Sequence, residues 1–384
     1  MRLLLRFAAI LIGLATAPAM AEQSPVYIVI DIGAGTVLDQ DGAERLWHPA
    51  SITKIMTAYV TFRAIKAGEV TLESPVVVSK NALKEPPSKM GYRVGTEMTL
   101  DNALKMLIVR SANDIAVAIA ESVGGSEPNF IARMNAEAQR LGMPSTRYHN
   151  PNGLPDEGQV TTARDMAVLT RALWLEFPQY RDYFKIPAIR VGKKTLRSHN
   201  TLLEHFPGTN GMKTGFICAS GFNMVATATR SGRTLAVVVL GANSSKGRAE
   251  IAASLLQDGF KPKLFRNKRN LATYRNSRSP GPAANIRDEI CGKKKKKDQT
   301  ASNGKSALVP RFVLMDPVRV RTGLASNANG SSGSSPARGI PIPRPRPPMP
   351  GENAAILPAS PNRAEISYSW SWVDGEKSSP AQFR

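Results

Sequence analysis

A chain of 384 residues with 42% hydrophobic content has room for one large domain or two ordinary ones, and enough apolar residues to bury a core. The formal charge of +21 is unevenly placed. Residues 261–384 hold 23 Lys and Arg against 8 Asp and Glu, which is +15 of the total, and 15 of the 28 prolines. The four histidines (His48, His149, His199, His205) show no ligand spacing, so a metalloenzyme is excluded and no cofactor is expected.

The chain opens on Arg2 and Arg6, an apolar run from Phe7 to Leu14, and the small-residue site Ala19-Met20-Ala21. That order predicts a secretory signal over residues 1–21, too short to span a bilayer, and a mature chain exported to the periplasm or cell envelope. Tyr27–Ile30, the Gly33-Ala34-Gly35 turn and Thr36–Leu38 then read as two strands. Ile52, Ile55, Met56, Tyr59 and Val60 recur at helical spacing after Ser51, with Gly68 as the stop. Further helices are predicted over Leu100–Arg110, Asp114–Val123 and Asn129–Leu141, and from Thr161 or Thr162 to Phe177. Asn150-Pro151-Asn152-Gly153 is a turn cluster. A hairpin (Met224–Thr229, a Ser231-Gly232 turn, Leu235–Leu240) and a helix over Arg248–Leu256 close the body. Strands at both ends with helices between predict an α/β (α+β) domain over residues 22–260: a sheet built from both termini beside a helical subdomain. Residues 261–384 read as a basic Pro/Gly/Ser-rich tail, mostly disordered. Cys218 falls in the body and Cys291 in the tail, so both are expected to be free thiols.

Three short strings carry chemistry: Ser51-Ile52-Thr53-Lys54, Ser111-Ala112-Asn113 and Lys213-Thr214-Gly215. Alone, each is weak. Ser302–Lys305 repeats the first, Ser79, Ser198 and Ser360 open copies of the second, and Arg321-Thr322-Gly323 imitates the third. Context separates them. Only the first set places Ser-x-x-Lys at the start of an amphipathic helix, Ser-x-Asn between helices and Lys-Thr-Gly leading into strands. A serine hydroxyl needs an adjacent base, and residues three apart on a helix share a face, which brings Lys54 to Ser51. Lysine is a base only when neutral. Burial, the positive helix end and a second cation, Lys213, all push its pKa down. Ser111 then relays the proton to the leaving amine and Asn113 holds substrate backbone. Lys213 and Thr214 suit a terminal carboxylate, Gly215 lets substrate lie close, and the N–H groups of Ser51 and Phe216 form the oxyanion hole.

The wider wording carries a family resemblance. Trp47 to Tyr59 (WHPASITKIMTAY), Asn150 to Pro155 (NPNGLP) and Gly211 to Gly215 (GMKTG) resemble segments of the low-molecular-mass penicillin-binding proteins, the serine-type D-alanyl-D-alanine carboxypeptidases. The similarity covers about residues 26–260. It implies a β-lactamase/transpeptidase-like fold and acyl-enzyme hydrolysis of the terminal D-Ala-D-Ala bond of peptidoglycan stem peptides. It also implies covalent capture by β-lactams. By position it implies Ser51 as nucleophile, Lys54 as general base and Ser111 as relay, with Lys213 and Thr214 binding substrate. Arg248 matches a position that assists carboxylate binding, and Arg197 an arginine at the site's edge. Phe216 departs from the pattern, since relatives often carry histidine there.

Three rivals use the same residues: a β-lactamase, for which Asp156 and Glu157 form an acidic pair in a loop that nothing in the sequence places at Ser51, a D,D-endopeptidase, and a β-lactam or wall-binding module without turnover. In the tail, Lys293–Lys297 suit an anionic membrane surface or wall polymer or a solvated extension, the polyproline run from Ile340 reads as a linker, and the alternating Ile366–Trp372 segment suits a membrane interface, glycan stacking or a short docking strand. No nucleic-acid partner is expected.

Overall fold

The computed structural model describes residues 25–262, 269–274, 281–292 and 306–324. The expected signal, Lys293–Lys297, Ser302–Lys305 and everything from residue 325 onward lie outside the described residues.

β1 (Val26–Asp31) and β2 (Thr36–Asp41) form the first hairpin. A 3-10 turn, Ala50–Thr53, leads straight into α1 (Lys54–Lys66). β3 (Pro75–Val77), α2 (Lys80–Lys84) and β4 (Glu97–Thr99) make a small lobe around one two-stranded sheet. α3 (Leu100–Lys105) widens into a π-helical turn over Met106–Arg110, and α4 (Asn113–Gly124) and α5 (Glu127–Arg140) follow. α6 (Ala163–Glu176) is capped by the Thr162 hydroxyl, which accepts from Asp165 N. The hairpin β5 (Ala188–Val191) and β6 (Lys194–Arg197) precedes three long strands, β7 (Thr209–Ile217), β8 (Gly221–Arg230) and β9 (Arg233–Ala242), and α7 (Ser245–Phe260). β10 (Arg269–Asn270), α8 (Arg287–Cys291) and β11 (Val318–Val320) complete the described elements.

The main sheet runs β10-β2-β1-β9-β8-β7, antiparallel throughout, so the two ends of the body meet at β1 and β9 as expected. Strand alternation splits its side chains between two cores. Ile28, Ile30, Val238 and Leu240 face α1, α4 and α6, whereas Val29, Val237 and Val239 face α7 through Ala249, Ala252, Ala253 and Leu256. β7 is the edge strand of this sheet, beside the helical layer.

α1 departs from the expected amphipathic form. It is buried on nearly all sides, because its polar face is also covered: Thr57 Oγ1 donates to Pro151 O at 2.6 Å and Thr61 Oγ1 to Thr57 O at 2.8 Å. Tyr59 and Phe62 are fully buried, and each such side chain is worth about 1.5–3 kcal/mol of transfer free energy. A helix enclosed this way is a rigid base for whatever its first turn carries.

The expected boundary at residue 260 does not mark the end of packed structure. β10 pairs with β2, β11 adds parallel to β5, and α8 buries Ile290. Cys218 and Cys291 are not free thiols: they form a disulfide across 73 residues. A basic, proline-rich composition conceals this docking, because among the described residues only a few apolar ones (Leu271, Tyr274, Ala284, Ile286, Ile290, Val320) do the burying.

Candidate active site

Ser51 sits in the 3-10 turn ahead of α1, following Ala50, whose φ of 49° is left-handed. A non-glycine residue there stores strain, which the packed surroundings sustain. No side-chain cap hydrogen bond is made at this helix start, so Ser51 does not serve as a cap. Its hydroxyl oxygen lies 3.1 Å from Lys54 Nζ instead. Lys54 is fully buried and has two further neighbours, Asn113 Oδ1 at 2.7 Å and the Asn152 carbonyl oxygen at 2.5 Å. Both of these atoms only accept hydrogen bonds. A neutral amine has two hydrogens and one lone pair, so giving both hydrogens to them leaves the lone pair for the Ser51 hydroxyl. Burial, and after it the charge of Lys213, holds the Lys54 pKa well below its ordinary value, against the opposing pull of Glu85 and Asp114. The positive end of α1 acts in the same sense.

Ser111 closes the π-helical turn in a left-handed conformation, φ 60° and ψ 34°. Its Oγ accepts from Lys213 Nζ at 2.8 Å, which joins the second motif to the third. Asn113 opens α4 and is occupied on both sides of its amide: Oδ1 faces Lys54, and Nδ2 donates to Pro86 O at 2.9 Å. It therefore fixes the lysine and the 86–90 loop in the first instance. The fully buried Asp114 accepts from Met90 N and Gly91 N and pins the same loop.

β7 carries Lys213, Thr214 and Gly215 against the nucleophile turn. A Cβ on Gly215 would stand 2.8 Å from Ser51 N and 3.0 Å from both Ile52 N and Pro49 O, so only glycine permits this approach. Gly153 crowds the turn in the same way, with a Cβ position 1.9 Å from Ala50 O. Lys213 is buried, and desolvation followed by the Arg248 charge brings its pKa down to about 7. Arg248, 4% exposed, spends its guanidinium on carbonyls of Gly215 (3.1 Å), Asn223 (3.3 Å) and His199 (3.3 Å). It thus ties α7 to β7 and β8 and adds positive charge behind Lys213. Phe216 is 43% exposed and its ring packs on Phe222 at 4.3 Å between centroids.

The structure therefore brings Ser51, Lys54, Ser111, Asn113, Lys213, Thr214, Gly215, Phe216 and Arg248 to one place. Arg197 is 52% exposed at its side chain and pairs with Glu204 at 3.0 Å, which also binds Arg311. Asp156 is taken by His149 Nδ1 at 2.7 Å and by Gly158 N. Arg321-Thr322-Gly323 lies beside β4, where Gly323 N donates to Glu97 O.

Four further contributors were not among the expected site residues. Asn152 supplies a carbonyl to Lys54, and its side chain donates to Glu85 Oε2 at 2.8 Å. Burial raises the Glu85 pKa, which the Asn152 bond opposes. Asn223, fully buried, donates to His48 O and Pro49 O and accepts from Gly241 N. His199 is pressed down to a pKa of about 4 by loss of solvation and then by Lys213, Arg110 and Arg248, a sign that three cations converge beside β7.

The family model for D-alanyl-D-alanine carboxypeptidase matches residues 14–244. The D-alanyl-D-alanine carboxypeptidase DacC of Escherichia coli is 35% identical over 253 residues, which are 64% of this chain and 63% of that protein. The chain thus spans just under two thirds of the length of this curated relative. Among solved structures, penicillin binding protein 5 from Haemophilus influenzae superposes with a TM-score of 0.59 at 32% identity, covering 61% of this chain and 70% of that one. The D-alanyl-D-alanine carboxypeptidase DacD from Francisella tularensis does so with a TM-score of 0.59 at 28% identity, over 63% and 71%.

Proposed function

The chain belongs to the D-alanyl-D-alanine carboxypeptidase family, and from that membership and the geometry around Ser51 we propose that it removes the terminal D-alanine of peptidoglycan stem peptides through a Ser51 acyl-enzyme. The observation that carries the reading is the placement of Lys54 Nζ. It has two carbonyl-type acceptors and one hydroxyl around it, an arrangement in which a neutral amine can give both hydrogens to the acceptors and keep its lone pair for the hydroxyl.

In this reading Ser51 Oγ bonds to the carbonyl carbon of the penultimate D-alanine while Lys54 takes the hydroxyl proton. The backbone N–H groups of Ser51 and Phe216 hold the oxyanion. Ser111 passes a proton to the leaving nitrogen as the C–N bond breaks, and water then hydrolyses the ester. Stem peptide lies along the open edge of β7, with its carboxylate toward Lys213 and Thr214 and the charge of Arg248 behind them. A β-lactam meets the same nucleophile and is held as an ester. The reading includes export, which rests on the signal expected over residues 1–21. No helix among the described residues is long and apolar enough to cross a membrane.

The test uses the mature full-length chain with a D-Ala-D-Ala pentapeptide and a fluorescent penicillin. Release of D-alanine with stable labelling is expected, and both are lost in Ser51→Ala. Unchanged release in that variant sinks the nucleophile assignment. Labelling without release favours a non-turnover module, rapid destruction of the penicillin a β-lactamase, and preferential cutting of cross-linked dimers an endopeptidase.

A second observation favours an anionic partner for the basic C-terminal third. Arg319 and Arg321 line a cavity of about 940 Å³ with Arg190, Lys193 and Lys105, away from the Ser51 site. Of these only Lys105 has an ion-pair partner among the described residues, Asp101 at 2.6 Å. Salt-sensitive binding to anionic wall polymer or anionic vesicles, lost in Arg319→Ala/Arg321→Ala, is expected; binding that ignores salt and both substitutions removes this role.

A further inference from the structure

We infer that the Cys218–Cys291 disulfide and the segment 284–291 form a brace that holds the two backbone segments carrying the Ser51 and Phe216 N–H groups in register. The catalytic half of this inference rests on the reading above; the mechanical half does not.

The two donors come from distant parts of the chain. Ser51 follows Leu46–Pro49, and Phe216 precedes the tight turn from Ile217 to Gly221. An oxyanion hole works only if both N–H groups keep their spacing to within a fraction of an ångström. Inside the body, two links join these segments: the Trp47 indole N–H donates to Ser220 O at 2.9 Å, and Asn223 Nδ2 donates to His48 O and Pro49 O. Residues 284–291 add one bridge from outside, anchored at three points. Ala284 N donates to Leu46 O at 3.0 Å, on the nucleophile side. Ile286 N donates to Ala219 O at 3.0 Å, on the β7–β8 side. Cys291 then bonds covalently to Cys218, two residues beyond Phe216.

The packing agrees with this bridging role. Ile286 and Ile290 are 3% and 4% exposed, and Ile286 Cδ1 occupies the space 2.8 Å from where a Cβ of Gly221 would stand. α8 is five residues long, far too short to be stable by itself. Its position therefore depends on the two buried isoleucines and the covalent link. The disulfide closes a large loop, which is where a crosslink removes the most chain entropy. Cys218 and Cys291 thus act as positioning residues: they touch no substrate and act through the β7–β8 turn.

The test compares the oxidised full-length chain, the same chain after dithiothreitol, and Cys291→Ser; Ile290→Ala, which keeps the disulfide, is a fourth sample. Reduction delivers two electrons and two protons and yields two thiols. Amide hydrogen exchange is read by mass spectrometry. Faster exchange is expected in peptides covering 44–52 and 214–221 when the bond is opened, with β1 and β9 unchanged. In the same samples kcat for D-alanine release and the penicillin acylation rate should each fall about tenfold, with KM within about twofold, because the donors act on the transition state. Ile290→Ala should show a smaller change of the same pattern. A bond that merely stabilises the fold would lower Tm and leave kcat and the site-peptide exchange as they were; that result overturns the brace. If the oxidised chain neither labels nor releases D-alanine, the proposed function fails while the exchange data still decide the brace.

Discussion

The site contains two buried lysines on opposite walls, and their surroundings differ in a way that assigns them different work. Lys54, on the α1 wall, is enclosed by the Asn113 and Asn152 oxygens and the Ser51 hydroxyl. Lys213, on the β7 wall, donates to Ser111 Oγ and Thr214 O and is backed by Arg248. Both pKa values are depressed by burial, and each wall then adds charge: Lys213 presses on Lys54, and Arg248 on Lys213. One side chain type thus supplies both a base and a cation, separated by neighbours and not by chemistry. The pairing is also directional, because a carboxylate bound at Lys213 would favour its charged form.

The largest expected effect breaks the α1 wall. Lys54→Met should lower the penicillin acylation rate by about 10³-fold or more while the fold is retained, since methionine fills the buried space without a base. Circular dichroism and stopped-flow labelling check this, and near-normal acylation would remove Lys54 as the base.

Next comes the β7 wall. Lys213→Met should cost about 10²-fold in kcat/KM, mainly through KM, for substrates ending in a carboxylate, and far less for the amidated peptide. The same variant sharpens the comparison through stability. The folded pKa of Lys213, about 7, lies below the unfolded value of roughly 10.4, so its contribution is complete above the unfolded value and is lost as pH falls through 7. Thermal stability of the parent should therefore rise between pH 7 and 9, with a smaller rise in Lys213→Met. Equal slopes would place the Lys213 ionisation elsewhere.

The smallest effect concerns a support of the α1 wall. Asn113→Ala removes one acceptor from Lys54 and the partner of Pro86 O, and should lower acylation about tenfold. A loss confined to KM would assign Asn113 to substrate contact alone.

Much of this was legible in the sequence for a physical reason. Ser51, Lys54, Ser111 and Lys213 act through side-chain chemistry that demands particular residue types at short spacings, and the strands and helices that carry them have strong periodicity. Asn152 was visible as part of a turn and of the Asn150–Pro155 segment but with no role, because its carbonyl, not its side chain, holds Lys54. Asn223 and His199 gave no signal: their roles arise from contacts with residues far away in the chain. The α1 helix misled in a different way: it was expected to be amphipathic, whereas its polar Thr57 and Thr61 are satisfied by main-chain carbonyls inside the protein. The C-terminal third misled through composition. Charge and proline content outweigh the few residues from 269 to 324 that dock, and a cysteine pair split across an assumed boundary looks unpaired until the boundary moves.

The central claim is that Lys54 is a neutral base beside Ser51 at physiological pH. The most direct measurement is the second-order rate of Ser51 acylation by penicillin as a function of pH, with the adduct located by mass spectrometry. The rate is expected to rise through one ionisation well below the ordinary lysine value, with the adduct on Ser51 and the rise absent in Lys54→Met. A rate that climbs only near pH 10, or an adduct that persists in Ser51→Ala, would contradict it.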